Sequence, residues 1–265
     1  MKAVIVFRLG HQKPWCLAMR AGLRRHGIEA AITEDRYADR GDFVVCWGWR
    51  NGDRLQNLRP GRPVLVMERG YVGDRFRWTS LGWDGLNGRA RFFNESATAD
   101  RWQALFADRM RPWKSGGEYA VVMGQVPGDM AVRGVDMDGF YADAVRRLRT
   151  WFDGPILFRP HPQDRTGGRL PTELAAGELD TVLANAACVV TWNSNSGVDA
   201  VLAGVPTVAA DRGAMAWDVT RHDADGMPPT PDRAEWAARL AHCQWSAEEI
   251  ERGEFWEQLK CRVAA

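Results

Sequence analysis

The stretch Val189–Ala210, "VVTWNSNSGVDAVLAGVPTVAA", decides the fold that we predict for this chain. Its β-branched start is typical of a buried strand, and the asparagine, serine and glycine residues that follow are typical of a turn and a helix N-cap. Helix-forming residues continue until Gly204, and an apolar strand resumes after Pro206. This order of elements predicts a parallel α/β sheet. The hydroxyl and backbone N–H groups at the helix N-terminus predict a site for an anion such as a phosphate.

The same alternation of strands and helices extends over the rest of the chain. A first half begins with the predicted strand Lys2–Leu9, and a second half begins with the predicted strand Tyr119–Met123, after the glycine- and proline-containing segment Arg111–Glu118. We therefore expect an α/β fold with two Rossmann-like lobes and a central cleft. The predicted bounds are 1–112 for the first lobe, 118–245 for the second, and 246–265 for a C-terminal helix that packs back on the first lobe.

The composition narrows the class of protein. Of the 265 residues 45% are hydrophobic, which is enough for a substantial core, and the net charge of +1 argues against a general polyanion-binding surface. The five cysteines show no CxxC pair, so we expect neither a zinc site nor a disulfide framework, and a reducing cytoplasm fits best. No apolar run approaches the ~18 residues of a membrane span, so we expect no integral membrane segment and at most peripheral membrane contact.

One long segment breaks the alternation of strands and helices. Gly70–Arg91, "GYVGDRFRWTSLGWDGLNGRAR", is too long for an ordinary connection, so we expect a functional loop or an irregular insertion. Its mixture of basic and aromatic side chains suits stacking on a sugar or on an unpaired base, although a loop buried against the core fits the same pattern. These side chains are Arg75, Phe76, Arg77, Trp78, Trp83, Arg89 and Arg91.

Four polar stretches each follow a predicted strand directly. Because the carboxyl ends of parallel strands meet at one edge of a sheet, this shared position predicts ligand contacts more strongly than any single stretch does. The four stretches are Glu68-Arg69-Gly70-Tyr71, Gln125 to Asp129, His161, and Ser194 to Asp199.

Each of these stretches also has a structural alternative. His161, held between two prolines in "RPHP", can donate to a phosphate or protonate a leaving group, or it can cap a backbone group. Asp129 can be a nucleophile, a base or the hydrogen-bond acceptor of an Asx turn. Glu68 can form an ion pair with Arg69. Asp199 would repel a phosphate, which favours contact with sugar hydroxyls or a cap N–H group.

Read together, short blocks along nearly the whole chain resemble the capsular-polysaccharide octulosonate (Kdo) transferases, which move Kdo from its cytidine monophosphate donor. Six blocks stand in the same order as in that family, and six ordered blocks are more specific than any one of them. They are Trp47-Gly48, "VMERGYVGDR" from Val66, "GQVPGD" from Gly124, "RPHP" from Arg159, "WNSNSGVDAVLAGVPTV" from Trp192, and "WDVT" from Trp217.

The resemblance implies a glycosyltransferase of the GT-B kind that needs neither a divalent metal nor a cofactor, because the nucleotide-sugar is a substrate. It implies that Asp129 is the nucleophile of a retaining double displacement, that Glu68 is an acid or base near the acceptor, and that His161 stabilises the leaving phosphate. The donor-binding residues are then Gln125, Arg159, His161, Ser194, Asn195, Ser196, Gly197 and Asp199. The acceptor-side residues are then Arg69, Tyr71, Arg75, Arg77, Trp78 and Trp83.

The chain also departs from the family pattern. Arg159 replaces a lysine, Arg69 replaces the second acidic residue of the "LED" segment, and "VDAVL" from Val198 replaces "FEALL". The changes on the phosphate side keep charge and size, whereas Arg69 and the arginine- and tryptophan-containing segment alter the acceptor side. The reaction type is therefore better specified than the acceptor or the sugar.

Several functions remain open from the sequence. The acceptor hydroxyl can belong to a surface glycan or to a hydroxymethylated base of phage-type DNA, with Trp78 or Trp83 stacking on a flipped base. A sugar-nucleotide epimerase, or a non-catalytic nucleotide- or glycan-binding protein, would carry a similar phosphate turn.

Overall fold

The computed structural model describes residues 1–164 and 172–264. The chain divides into two compact units: unit 1 is Met1–Leu105 together with Ala237–Ala265, and unit 2 is Phe106–Trp236. The sequence placed the first division at 112–118 and the second at 245/246, so the observed divisions lie several residues earlier in each case. The segment Arg111–Glu118, which has the composition of a linker, belongs to unit 2, where the Arg111 N–H donates to the Leu202 carbonyl at 2.8 Å.

Unit 1 is built on a six-stranded sheet. Its strands are β1 (Lys2–Val6), β2 (Glu29–Thr33), β3 (Phe43–Trp47), β4 (Val64–Arg69), β5 (Trp78–Trp83) and β11 (Gln244–Ser246), and they lie in the order β11-β5-β4-β3-β1-β2. The pairs β1–β2, β1–β3 and β3–β4 are parallel, whereas β5 runs antiparallel to both β4 and β11. The helices of unit 1 are α1 (Lys13–Arg25), α2 (Trp49–Leu58), α8 (Ala247–Arg252), α9 (Trp256–Leu259) and α10 (Cys261–Ala264). Two helices cross the divisions between the units, α3 (Asp100–Phe106) at the first and α7 (Ala234–Ala241) at the second.

The local sequence explains where these elements begin and end. Every residue of β3 is buried, as expected for a continuous apolar run in the middle of a parallel sheet. Proline stands in the first turn of α1, where its missing N–H costs nothing, and Gly27 follows the helix with a φ of +71°. Helices α1 and α8 approach so closely that a Cβ on Gly22 would lie 2.0 Å from the Ile250 carbonyl oxygen.

The C-terminal segment forms three short helices, whereas the sequence predicted a single helix within 246–265. Gly253 has a φ of +78° and ends α8 in the left-handed conformation, so the chain continues as the separate helices α9 and α10. The segment packs within unit 1, where the ring of Trp256 stacks on that of Phe43 with centroids 5.6 Å apart.

The segment Gly70–Arg91 also differs from expectation, because it contains a regular strand. All six residues of β5 are buried between β4 and β11, so "WTSLGW" shows no alternation of apolar and polar residues that would reveal it as a strand. The chain leaves β5 through Asp84, which has a φ of +57°. The aromatic residues of this segment are therefore largely core residues.

Unit 2 is built on a five-stranded parallel sheet. Its strands are β6 (Tyr119–Met123), β7 (Ile156–Arg159), β8 (Glu173–Leu174), β9 (Ala186–Thr191) and β10 (Thr207–Ala209), and they lie in the order β10-β9-β6-β7-β8. Its helices include α4 (Met137–Leu148), α5 (Leu179–Asn185) and α6 (Ser196–Leu202). Helix α4 covers one face of the sheet, through Tyr141, Ala144 and Leu148, and α5 and α6 cover the other. The predicted fold class, α/β with two Rossmann-like lobes, is confirmed.

Candidate functional site

The predicted donor-side stretches of unit 2 lie at one edge of its sheet. Gln125 follows β6, His161 follows β7, and Ser194 follows β9, all at the carboxyl ends of neighbouring parallel strands. A glycine makes their close approach possible: the Gly124 N–H donates to the Arg159 carbonyl at 2.8 Å, and a Cβ on Gly124 would lie 2.9 Å from the Phe158 ring. The "GQ" and "RPHP" blocks are thus held together by backbone contact.

Gln125 and Asn193 form a buried amide pair between the ends of β6 and β9. The Gln125 side-chain N–H donates to Asn193 Oδ1 at 2.7 Å, and the Asn193 backbone N–H donates to Gln125 Oε1 at 2.9 Å. The Asn193 side-chain N–H groups donate to the Ala131 carbonyl at 2.8 Å and to Asp211 Oδ2 at 2.7 Å. Gln125, predicted to bind the donor, therefore directs both ends of its amide to Asn193. The sequence assigned Asn193 only turn chemistry and did not single out Asp211.

The turn before α6 uses much of its own hydrogen-bonding capacity. The Ser194 N–H donates to Thr191 Oγ1 at 3.2 Å, the Ser196 N–H to Ser194 Oγ at 3.3 Å, and the Gly197 N–H to the Ser194 carbonyl at 3.0 Å. These three N–H groups are therefore engaged where the sequence predicted exposed ones. The buried Ser196 Oγ, in contrast, has no hydrogen-bond partner among residues 1–164 and 172–264.

The remaining residues of this turn are placed by α6. Asn195 is the N-cap residue, and its carbonyl accepts the Asp199 N–H at 3.1 Å. Gly197 is buried, and a Cβ there would lie 3.0 Å from the Thr191 methyl group, so the start of α6 sits directly on the end of β9. Asp199 is half-buried in the first turn of the helix. The helix dipole stabilises its negative charge there, and the same charge would repel a phosphate bound beside it.

His161 is half-buried, and its ring orientation is set by the turn that follows β7. Its Nδ1 accepts the backbone N–H of Gln163 at 3.1 Å, so the neutral ring carries its proton on Nε2 and can donate from that atom. The Asp164 N–H donates to the His161 carbonyl at 2.8 Å, which closes the turn. Arg159, the last residue of β7, donates from its guanidinium to the Gly177 carbonyl at 2.6 Å.

Asp129 is exposed and has the Asx geometry that the sequence allowed as an alternative. Its Oδ1 accepts the Ala131 N–H at 2.9 Å and caps the short 3-10 helix Met130–Val132. The Ala131 carbonyl in turn accepts from Asn193, so the amide pair fixes the segment that carries this carboxylate. Capping by one oxygen orients the carboxylate and is compatible with reaction at the other.

In unit 1, Glu68 lies at the carboxyl end of β4 beside the end of β3. A Cβ on Gly48 would lie 3.4 Å from Glu68 Oε1, so the carboxylate contacts the predicted "WG" block. Burial raises the pKa of the Tyr71 phenol above its ordinary value. A small pocket, with room for about one water molecule, adjoins these groups, and its lining includes Val66, Glu68, Tyr71, Ser80, Asn87 and Phe92.

The structure corrects several acceptor-side predictions. Trp83 is completely buried and donates its indole N–H to the Leu259 carbonyl at 2.9 Å, and Trp78 is also buried. Neither ring has a face available to a sugar or a base, so the DNA hypothesis loses the stacking groups on which it depended. Arg75, Phe76 and Arg77 are exposed in the turn before β5, and the Arg75 Nε–H donates to the Gly70 carbonyl at 3.2 Å.

A set of aromatic residues that the sequence did not single out as a site surrounds the end of β3. The Trp47 ring centroid lies 6.1 Å from that of His11 and 6.3 Å from that of Trp15. The Arg69 guanidinium carbon lies 5.7 Å from the Trp47 ring and 4.2 Å from the Phe76 ring. These residues are far apart in the sequence, so no local pattern predicts that they form a cluster. The sequence signal that could have found them is that Gly10-His11, Trp47 and Arg69 each lie at or shortly after the end of a predicted strand.

The described residues offer neither a metal site nor a membrane span. Within 1–164 and 172–264, no group of three or more His, Cys, Asp or Glu side chains is arranged to hold a metal ion. Of the helices in these ranges, none has the length and apolar character needed to cross a bilayer.

The fold is similar to that of two Kdo transferase structures. The β-Kdo 2,7-transferase of Thermosulfurimonas dismutans KpsC matches with a TM-score of 0.61 at 16% identity, over 97% of this chain and 99% of that one. The β-Kdo 2,4-transferase of the same protein matches with a TM-score of 0.60 at 17% identity, over 90% of this chain and 89% of that one. The resemblance inferred from the sequence blocks is thereby confirmed at the level of the fold.

The fold is less similar to that of a sugar-nucleotide epimerase. The UDP-GlcNAc 2-epimerase of Neisseria meningitidis matches with a TM-score of 0.36 at 10% identity, over 98% of this chain and 100% of that one. No protein-family model matches the sequence, and no curated protein is significantly similar to it.

Proposed function

We propose that this protein is a glycosyltransferase that moves a sugar from a nucleotide-activated donor, a cytidine monophosphate sugar, to a hydroxyl group of a glycan. The observation that carries the proposal is the assembly of Gln125, His161 and Ser194 at adjacent strand ends of unit 2, in a fold similar to two Kdo transferases. Open parallel sheets bind nucleotide ligands at this edge.

In the proposed donor site, two groups bind the leaving phosphate. The Nε2–H of His161 donates to a phosphate oxygen and stabilises the negative charge that develops as the sugar departs. The Ser196 hydroxyl, which has no protein partner among the described residues, is the group of the turn that can add a second hydrogen bond. Arg159, whose guanidinium is partly engaged with Gly177, adds positive charge nearby.

The proposed chemistry has two displacements. In the first, an Asp129 carboxylate oxygen bonds to the anomeric carbon while the bond from that carbon to the phosphate oxygen breaks, and its electron pair leaves with cytidine monophosphate. In the second, the acceptor hydroxyl oxygen bonds to the same carbon and the Asp129 carboxylate is released. The hydroxyl proton is taken up by a general base. Two inversions give a retained configuration.

Asp129→Asn is the sharpest test, because asparagine keeps the oxygen that caps Ala131 and removes the nucleophile. Intact-mass spectrometry of wild-type protein incubated with CMP-Kdo should show an added sugar, and peptide mapping should locate it on Asp129. The Asp129→Asn variant should form no adduct but should still be stabilised by cytidine monophosphate in a thermal-shift assay. Asp129→Ala serves as the comparison that loses both functions of the side chain.

Three outcomes would contradict parts of the proposal. Sugar transfer by the Asp129→Asn variant at the wild-type rate would rule out the nucleophile. Stabilisation by UDP, GDP or dTDP and not by cytidine monophosphate would rule out the donor class. An altered sugar formed from the sugar nucleotide alone, without an acceptor and detected by NMR, would instead identify an epimerase.

A further inference from the structure

We propose that Arg69 is the residue that selects a negatively charged acceptor, by binding a carboxylate or phosphate group carried on the acceptor glycan. Calling the bound sugar the acceptor rests on the proposed function. The anion-binding site itself does not depend on that function. The resembling family has an acidic residue at this position, so the family pattern does not supply this role. The role follows from the surroundings of one guanidinium group.

The guanidinium of Arg69 is held by two aromatic rings. Its carbon lies 4.2 Å from the Phe76 centroid and 5.7 Å from the Trp47 centroid. Phe76 is 73% exposed, the highest fraction among the large hydrophobic residues that the structure describes, so its ring contacts the arginine rather than the core. Such cation–π contacts hold the face of a guanidinium and leave its N–H groups pointing outward from its edge.

These N–H groups have no protein partner within the described ranges. Among residues 1–164 and 172–264, the Arg69 guanidinium makes no hydrogen bond and no ion pair, and the ion pair with Glu68 that the sequence allowed is not formed. Two other arginines of unit 1 behave differently: Arg62 donates to the Ala38 carbonyl at 3.1 Å, and Arg101 donates to Glu249 at 2.6 Å. Successive strand residues point to opposite faces, which separates Arg69 from Glu68.

The position of Arg69 suits a ligand of defined chemistry. It is the last residue of β4, at the carboxyl edge of the parallel part of the sheet, beside the exposed Phe76 ring and the buried Trp47 ring, which the exposed His11 and half-buried Trp15 rings contact in turn. Aromatic rings of this kind pack against sugar rings, and a planar guanidinium with open N–H groups binds a carboxylate or phosphate through two parallel hydrogen bonds. An anionic sugar satisfies both features, and a neutral sugar satisfies one.

The test measures binding of simple sugars to the intact protein by isothermal titration, without any nucleotide-sugar. Glucuronate and glucose 6-phosphate are compared with glucose. We expect the charged sugars to bind at least about tenfold more tightly, as is typical of one charge-assisted pair. Arg69→Gln should remove this preference and leave glucose binding unchanged. Arg69→Lys should retain part of the preference, because lysine keeps the positive charge but lacks the two parallel N–H donors of the guanidinium. Arg40→Gln removes an exposed charge elsewhere on unit 1 and should leave the preference intact.

The two sugars separate the two anion sources: preference for glucuronate identifies a carboxylate site, and preference for glucose 6-phosphate identifies a phosphate site. Phe76→Ala should weaken the preference several-fold, because the guanidinium loses one of its two supports. Equal binding of charged and neutral sugars by the wild type, or an undiminished preference in Arg69→Gln, would overturn the inference. Because no transfer is measured, these outcomes are independent of the Asp129 experiment.

Discussion

Asn193 joins four segments of unit 2, and its replacement by alanine is expected to lower the stability of that unit strongly. Asn193→Ala removes three side-chain hydrogen bonds, one from Gln125 at 2.7 Å, one to the Ala131 carbonyl at 2.8 Å and one to Asp211 at 2.7 Å. The two neutral bonds contribute about 0.5–1.5 kcal/mol each and the bond to the carboxylate about 1.5–3 kcal/mol. We expect the free energy of unfolding to fall by about 3–5 kcal/mol.

Guanidinium unfolding followed by circular dichroism measures this loss, and hydrogen exchange assigns it to a unit. Peptides from β6 and β9 should exchange faster in Asn193→Ala, whereas peptides from β1 and β3 should serve as an unchanged internal control. A loss of less than about 1 kcal/mol would refute the reasoning, because it would mean that the buried amide of Gln125 finds another partner at no cost.

Asn193→Asp is the matched variant, because it keeps the oxygen that accepts from Gln125 and replaces only the donor. The new carboxylate oxygen faces Asp211 at the distance of a hydrogen bond, so the two charges repel at neutral pH. Repulsion raises the pKa of this pair in the folded state above its value in the unfolded chain, so the folded state binds the extra proton more tightly. The variant should therefore regain stability between about pH 8 and about pH 5, and Asn193→Ala should not.

Two further predictions concern packing and pH. Gly124→Ala places a methyl group 2.9 Å from the Phe158 ring and should lower the free energy of unfolding by about 1–3 kcal/mol. The control Gly116→Ala, which meets nothing within 4 Å, should lower it much less. Equal losses in a denaturant titration would contradict the role assigned to Gly124. Burial, reinforced by a nearby arginine, lowers the pKa of His242, so the fold loses stability as the pH falls below the ordinary histidine value of about 6.5, where the unfolded chain takes up the proton. His242→Gln should flatten the decline of the melting temperature between about pH 7.5 and about pH 5, and an unchanged slope would show that another group titrates.

The parts of the fold that the sequence predicted well are those with local signals. The strand, turn, helix and strand around Ser196 were recognisable because β-branched residues, N-cap residues, Gly204 and Pro206 stand in order over a short span. The strand β5 had no such signal. It is defined by pairing with β11, more than half the chain away, and its burial on both faces removes the alternation by which a strand is recognised.

The same distinction holds for the site. The rule that ligands bind at the carboxyl ends of parallel strands placed Gln125, His161 and Glu68 at sheet edges, because it depends only on where strands end. Which partner each side chain takes depends on tertiary structure. Sequence reasoning therefore assigned Gln125 to a ligand although it is bound to Asn193, and allowed an ion pair for Arg69 although its guanidinium contacts two rings.

The discontinuity of unit 1 has a consequence for synthesis on the ribosome. Unit 2 is one uninterrupted segment, Phe106–Trp236, whereas the sheet of unit 1 is completed by β11, which is translated after all of unit 2. At typical translation rates the edge of β5 stays unpaired for on the order of ten seconds. During this interval the nascent chain exposes the backbone of an apolar strand, "WTSLGW", that can pair with other chains. Chaperone dependence during translation should therefore be a property of unit 1, and the order of maturation should run from the middle of the chain to its ends.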